Sequence, residues 1–344
     1  MTAPTAPPPD EEVLDAPPEA GQPLWKRALT GPSTSILLVL VGMILVFSML
    51  SFEQFFTVSN ARNIATDAAV LLVVATGLTY VVITAGIDLS VGSVLVFSSV
   101  VSARMMNAIG GESWGVLLIG MLTALAAGFA WGALNGFLVT KAKIPAFIVT
   151  LGTLGMALGA ALLITGGVDE RNVPFKLVET IGTGRLFDQI PYLVLIAAVV
   201  AVVFGIILHT TRFGRYTYAI GSNEEGVRRA GVNVDRHLIK VYALGGTLAG
   251  FAGYLALARF GTTSIAGNTT LNLDAIAAIV IGGTSLFGGV GTIVGTVVGV
   301  FIPAVLRNGF VIVGVQPFWQ QVAVGAVLIV AVYLDQLRRA RYAR

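Results

Sequence analysis

The stretch Gly86-Ile87-Asp88-Leu89-Ser90-Val91-Gly92-Ser93 separates two apolar runs of membrane-spanning length. The preceding run covers residues 68–85, and the following run covers residues 94–109. A carboxylate, serines and glycines are costly inside a membrane unless they border a cavity or end a helix. The sequence therefore predicts a helix that is broken near residues 86–93 and that lies beside a transport pathway.

The composition is that of a polytopic membrane protein. Hydrophobic residues make up 56% of the 344 residues and charged residues 11%, whereas a soluble domain has about 25% charged residues. Apolar runs of about 20 residues, each able to cross a hydrocarbon core of about 30 Å, recur along the chain. We predict an all-α fold with about ten transmembrane helices, near residues 35–51, 68–85, 93–109, 115–139, 146–166, 191–209, 238–258, 273–289, 291–309 and 317–335.

Residues 1–24 differ from the rest of the chain because they hold seven of the thirteen prolines and five carboxylates. Such a segment buries little apolar surface, so we predict a disordered proline-rich tail on the cytoplasmic side. It lacks the pattern of a cleaved signal peptide. Residues 25–344 are then the transmembrane domain.

The distribution of basic residues predicts the orientation. With the N-terminus inside, most of the 21 Lys and Arg residues fall in internal connections, as the positive-inside rule requires. Both termini are then cytoplasmic. The external connections carry few basic residues, namely Arg62, Arg171, Lys176, Arg185, Arg259 and Arg307. The long connection at about 167–190 could form an external cap.

A weak internal repeat is visible. Three glycines spaced by four residues, an Asn-Gly-Phe triplet and a proline closely followed by a phenylalanine recur in the two halves of the chain, at residues 128–147 and 291–318. The predicted topology places the two triplets on opposite sides of the membrane, as a five-plus-five inverted repeat would. Chance similarity between glycine-rich spans is the alternative.

Several kinds of chemistry are missing from the sequence. There is no cysteine, and the two histidines are far apart, so we predict no metal site. None of the five lysines follows a glycine, which excludes a P-loop. The apolar spans contain Asp88, Arg104 and few other ionisable groups, which gives little support to ion coupling. These absences favour a non-enzymatic pore subunit without a cofactor, driven by a separate ATPase that binds ATP and Mg²⁺.

A basic connection at about 210–237 is a candidate for contact with such an ATPase. Asn223 can cap a short helix whose first turn is acidic, and two i, i+4 ion pairs and a terminal glycine can complete it. A plain basic loop that obeys only the positive-inside rule is the alternative. The candidate coupling residues are Asn223, Glu224, Glu225, Arg228, Arg229 and Gly231.

The polar residues of the break have two interpretations. Asp88, Ser90 and Ser93 could exchange hydrogen bonds with a passing polyol, or Asp88 or Ser90 could be the N-cap of the third span. The capping role is the one that we favour for Asp88, although both roles can coexist. Asn135, from the first Asn-Gly-Phe triplet, is a further candidate for the pathway or for the cap of the broken helix.

Taken together, the motifs resemble those of the permease subunits of bacterial ABC importers for monosaccharides such as ribose, xylose, arabinose and galactose. The similarity extends over about residues 36–335, in matching order and spacing. The stretches that carry it are Thr84–Ser93, Leu134–Leu138, Pro145–Gly152, Gly221–Glu225, Ala230–Val232, Leu273–Ala278 and Gly282–Thr292.

The resemblance implies a multi-pass protein of the bacterial inner membrane, surrounded by lipids and paired with a second copy or a related subunit. It also implies ATPase subunits inside, at the coupling region 221–235, and a sugar-binding protein outside, with no nucleic-acid partner. Related permeases carry nucleosides or branched-chain amino acids, and these cargoes are alternatives. An ion-coupled secondary carrier is the alternative from another class.

Overall fold

The structure, a computed structural model, describes residues 32–265 and 271–316, together with residues 318–320, 322, 325, 326, 329 and 333. The predicted tail at residues 1–24 lies outside the described residues. Most of the tenth predicted span, residues 317–335, also lies outside them.

The described chain is mainly helical. A π-helix covers Val178–Gly182, and a small antiparallel hairpin pairs β1 (Arg185–Leu186) with β2 (Ile190–Pro191). The α-helices are α1 (Pro32–Leu50), α2 (Phe52–Phe55), α3 (Val58–Ile83), α4 (Val91–Ile109), α5 (Trp114–Thr140), α6 (Ala146–Thr165), α7 (Phe175–Leu177), α8 (Tyr192–Thr210), α9 (Arg212–Ser222), α10 (Glu224–Arg229), α11 (Val234–Phe260), α12 (Leu271–Ile281) and α13 (Ile293–Val313).

Seven of the described helices are long and apolar enough to cross a membrane: α3, α4, α5, α6, α8, α11 and α13. They correspond to the second to seventh and the ninth predicted spans. Two shorter apolar helices, Ile36–Leu50 within α1 and α12, correspond to the first and eighth. The all-α membrane fold is therefore confirmed, whereas the count of ten stays a prediction.

Two predicted boundaries are wrong. The eighth span, predicted at 273–289, ends at Ile281, because the chain turns at Gly283 with a φ of +87° and stays non-helical up to Thr292. The second span begins at Val58, ten residues before its predicted start. Its first turn is polar, but the Thr57 hydroxyl accepts a 3.1 Å hydrogen bond from the Asn60 N–H and starts the helix there.

Some basic residues that the sequence analysis placed in connections lie within the longer helices. Arg62 belongs to α3, Arg259 to the last turn of α11 and Arg307 to α13. Each has a polar partner, since Arg62 contacts Gln189 and the other two pair with Asp67 and Asp274 respectively. A long arginine side chain can place its charged group at the membrane surface, so these arginines fit in helices that extend beyond the hydrocarbon core.

Helices α3 and α11 form the centre of the bundle and are the most buried of the seven spans. Glycines let α5 approach α11 closely: a Cβ atom at Gly132 would overlap the Tyr242 carbonyl oxygen and lie 3.0 Å from the Gly246 Cα. Small residues allow such backbone contact in lipid, where helices associate by close packing. The first glycine series of the predicted repeat thus lies in this helix interface.

The spans alternate in direction, so the bundle has two ends. We call one the α10 end; it carries the last turns of α3 and α5, the first turns of α4, α6, α11 and α13, and helices α9 and α10. We call the other the α7 end; it carries α7, the β-hairpin and the segment 166–173.

Candidate translocation and coupling site

The break between α3 and α4 covers residues 84–90 and lies near the α10 end of the bundle. It is slightly shorter than predicted, because Val91–Ser93 already belong to α4. Ser90 occupies the N-cap position of α4, yet its side chain makes no capping hydrogen bond to that helix. Ser93 is buried in the first turn of α4.

The carboxylate of Asp88 is directed back into the break. Its Oδ1 atom accepts a 2.8 Å hydrogen bond from the Ser90 N–H and a 2.6 Å hydrogen bond from the Ser90 hydroxyl. This is an Asx-type turn, in which the carboxylate pairs with the backbone two residues later. Asp88 is 1% exposed, and none of the ion pairs among the described residues includes it.

Asn135 joins this pair from α5. Its Nδ2 atom donates a 2.9 Å hydrogen bond to the Ser90 hydroxyl, and its side chain is fully buried. The Asn135 Oδ1 atom has no hydrogen-bond partner among the described residues. The structure therefore brings together three of the four residues that the sequence proposed for the break, Asp88, Ser90 and Asn135.

Three further side chains, which the sequence analysis missed, donate hydrogen bonds to backbone carbonyls of the break. The Ile87 carbonyl lies 3.3 Å from the Thr150 hydroxyl of α6 and 3.5 Å from the Tyr242 hydroxyl of α11. The Leu89 carbonyl accepts a 3.1 Å hydrogen bond from Asn272 of α12. Together with Asn135, four helices thus supply polar groups to one unwound segment, as membrane burial of backbone requires.

The signal for these residues was present but weak. Thr150 and Asn272 are polar residues in mostly apolar helices, and both are buried. Such residues need a hydrogen-bonding partner, so their burial points to a site. Nothing in the sequence identified that partner as a backbone carbonyl of the break.

The predicted local structure of the coupling segment is confirmed. The Asn223 side chain accepts a 2.8 Å hydrogen bond from the Gly226 N–H and caps α10. The two i, i+4 ion pairs form, Glu224–Arg228 at 2.9 Å and Glu225–Arg229 at 2.6 Å. After Arg229 the chain turns at Gly231, where φ is +84°, a conformation that favours glycine.

An additional residue, Asp235, ties α10 to the bundle. Its Oδ1 atom pairs with Arg228 at 2.9 Å, and its Oδ2 atom pairs with Lys141, which follows α5, at 2.9 Å. Hydrogen bonds to the Glu224 and Asp235 carboxylates raise the pKa of the Arg228 guanidinium. None of the residues of α10 is buried, and Glu225 and Arg229 are its most exposed ion pair.

Helix α9 lies between α10 and the spans. Its Tyr218 hydroxyl donates a 2.6 Å hydrogen bond to the Gly291 carbonyl, just before α13. Burial raises the pKa of Tyr218, so this hydroxyl stays a protonated donor. The Thr217 hydroxyl lies 3.0 Å from the His237 Nε2 atom of α11. The described residues contain no cluster of His, Asp and Glu side chains that could hold a metal ion.

Comparison with protein families matches residues 60–332 to the family described as "Branched-chain amino acid transport system / permease component". The chain belongs to this family. This match and the similarity to the sugar permeases named next confirm the resemblance drawn from the sequence motifs. The permease is a multi-pass membrane protein, and its break and the segment 221–235 both lie inside the matched region.

The relatives of the permease include proteins named as sugar import permeases. The ribose import permease protein RbsC of Escherichia coli K12 is 39% identical over 311 residues, which cover 88% of this chain and 93% of that protein. The fructose import permease protein FrcC of Rhizobium meliloti is 33% identical over 313 residues, 89% and 86% of the two chains. The D-allose transport system permease protein AlsC of Escherichia coli K12 is 34% identical over 301 residues, 87% and 90%. No solved structure matches the chain.

Proposed function

We propose that this chain is the membrane-spanning subunit of an ATP-driven importer, and that it forms the path for a monosaccharide. The observation that carries this proposal is the similarity to ribose, fructose and allose permeases over nearly the whole of both chains. Nucleosides and branched-chain amino acids are less favoured cargoes, although the family description names the latter.

In this function ATP is hydrolysed on a separate subunit, where ATP and Mg²⁺ bind. The absence of a Gly-Lys-Ser/Thr motif from the sequence supports this division of roles. The ATPase docks on α10, whose Glu225 and Arg229 side chains are 74% and 78% exposed. The ion pairs of Asp235 with Arg228 and Lys141 hold α10 against the ends of α11 and α5, so a force on α10 reaches the spans.

The α10 end is then cytoplasmic, and both termini lie on that side. The α7 end, with the segment 166–191, faces outward and receives the sugar-binding protein. Exposed apolar side chains there, including Phe175 and Phe187 at 67% and 85% exposure, offer contact area for a protein partner. The permease pairs with a second copy or a related subunit in the lipid bilayer.

An arrangement of ten spans in two inverted halves agrees with several contacts. The central helices α3 and α11 are the second and seventh predicted spans, five apart, as such a repeat requires. Asn135 bonds to Ser90 near the α10 end, whereas its counterpart Asn308 donates a 2.8 Å hydrogen bond to Asn60 near the α7 end.

The second glycine series also lies in a helix interface, like the first. A Cβ atom at Gly295 of α13 would overlap the carbonyl oxygen of Gly282, which lies just after α12. A Cβ atom at Gly299 would overlap the carbonyl oxygen of Ala278, which lies within α12. Both glycine series therefore let two helix backbones touch, which a chance similarity between apolar spans does not require.

The break is the narrow part of the path in this proposal. Polar side chains from four helices bond to this one unwound segment, so a movement of the break changes all of these contacts. The binding protein selects the sugar, so a tight sugar pocket in this chain is not required.

The test is a charge reversal on α10. Glu225→Arg should leave membrane insertion intact, since an exposed ion pair contributes about 0–1 kcal/mol to stability. It should abolish the ATP hydrolysis that sugar and binding protein stimulate in the reconstituted complex. Glu53→Arg, the same reversal at an exposed position of α2, is the control and should be neutral. Full activity of Glu225→Arg would remove α10 from the coupling role.

A further inference from the structure

Three backbone segments meet where α9 ends. Gly221 lies against the carbonyl oxygen of Ile83, the last residue of α3, and against the amide of Gly289 in the loop 282–292. The Gly289 N–H donates a 2.9 Å hydrogen bond to the Ile83 carbonyl. A Cβ atom at Gly221 would overlap that oxygen and lie 2.6 Å from the Gly289 nitrogen. We call Ile83, Gly221 and Gly289 the backbone junction.

Helix α9 holds the same loop at a second point. Tyr218, about one turn before Gly221, donates the 2.6 Å hydrogen bond from its hydroxyl to the Gly291 carbonyl. The loop thus contacts α9 at two positions that lie two residues apart, by backbone packing of Gly289 against Gly221 and by the hydrogen bond at Gly291. Together the two contacts limit the movement of the loop relative to α9.

The backbone junction lies between α10 and the break. Asn223, which caps α10, follows Gly221 by two residues, and the break begins directly after Ile83. The loop also touches the break, because a Cβ atom at Gly288 would lie 2.8 Å from the Ala85 nitrogen. A shift of α10 therefore reaches the break through backbone contacts, which contain no side-chain rotamers to absorb it.

We infer that Tyr218 and Gly221 are positioning residues for transport: they hold the end of α3 and the loop 282–292 to α9, so that these elements follow α10 as one body. The inference rests on the proposed function, because it takes α10 as the helix that the ATPase moves. The sequence analysis included Gly221 only as part of the coupling region 221–235 and gave Tyr218 no role, and neither residue is assumed to contact the sugar.

The first test removes one hydroxyl. Tyr218→Phe loses the bond to Gly291, while the control Tyr216→Phe changes a neighbouring tyrosine of α9 whose ring packs edge-on against His237. In vesicles that contain the permease, its ATPase and the sugar-binding protein, sugar taken up per ATP hydrolysed should fall several-fold in Tyr218→Phe only. An unchanged ratio would overturn the inference. A native permease that takes up no sugar with ATP would contradict the proposed function instead.

The second test replaces the lost bond with a covalent one. The chain has no native cysteine, and a Cβ atom at Gly289 would lie 3.4 Å from the Ser222 Cα, within reach of a disulfide. A side chain at Gly289 is strained because φ there is +75°, so the reduced double variant is the reference. If α9 and the loop move as one body, forming the Ser222→Cys/Gly289→Cys disulfide should leave uptake at the level of that reduced variant. It should also restore the uptake ratio of Tyr218→Phe, and a reductant should reverse the rescue. A disulfide that blocks uptake, or that fails to rescue, would show that the two elements move separately.

Discussion

Asn135 donates a 2.9 Å hydrogen bond to the hydroxyl of Ser90, 45 residues earlier in the chain. Ser90 in turn donates a 2.6 Å hydrogen bond to the Asp88 carboxylate. This short chain of bonds joins α5 to the residue that precedes α4, and its three members are at most 1% exposed. A buried polar chain is held firmly, because a member that loses its partner has no water to replace it.

The chain of bonds predicts different results for two substitutions of Asp88. Asp88→Asn should keep most of the uptake, since an amide oxygen still accepts from the Ser90 N–H and hydroxyl. Asp88→Leu should lose it, because each unpaired donor is destabilising by about 1–3 kcal/mol. Uptake is measured at matched membrane expression. Equal loss in both variants would indicate that the charge itself is needed and would favour the ion-coupled carrier.

The close contact between α5 and α11 predicts that no side chain larger than that of glycine fits at position 132. Gly132→Ala should separate the two backbones and destabilise the permease by about 1–3 kcal/mol, lowering its melting temperature in detergent. The control is Gly152→Ala on α6, where a Cβ atom would meet no atom within 4 Å. That change should be neutral or stabilising, because alanine favours helix. Equal melting temperatures of the native permease and Gly132→Ala would show that the interface adjusts to the added methyl group without loss of stability.

The proposed orientation predicts one-sided labelling. Because the chain lacks native cysteine, single cysteines at Ser222 and Asp188, both exposed, report on opposite ends of the bundle. An impermeant thiol reagent applied to intact cells should label Asp188→Cys only. In inside-out vesicles it should label Ser222→Cys only. The reverse pattern would invert the topology and remove α10 from the ATPase side.

The ion pairs of Asp235 predict the local stability of α10. Asp235→Asn weakens the contacts with both Arg228 and Lys141, whereas the control Glu225→Gln weakens one exposed pair within α10. Partly exposed pairs contribute up to about 1 kcal/mol each, so the effect should be local opening and not unfolding. Hydrogen exchange of the α10 amides should rise severalfold in Asp235→Asn and hardly at all in Glu225→Gln. Similar exchange in the two variants would argue against Asp235 as the anchor.

Local features were predicted well because they depend on neighbouring residues. The α10 cap, its two ion pairs and its terminal glycine all involve groups no more than four residues apart, so their geometry follows from helix periodicity. The end of the eighth predicted span was missed for a related reason. Hydropathy over Leu273–Gly289 is that of a span, but the glycines at 282, 283, 288 and 289 permit turns that an apolar average conceals.

The sequence by itself determined the class of fold, the position of the break, the short helix α10 and the family, because composition, periodicity and short motifs are carried by adjacent residues. The tertiary structure decided which partners meet. Asn135, Thr150, Tyr242 and Asn272 come from four separate helices to one unwound segment, and Gly221 lies against Ile83 and Gly289, which are far from it in the sequence. These contacts follow from how helices pack and not from any local pattern, since buried backbone groups accept whichever donor the packing brings within reach.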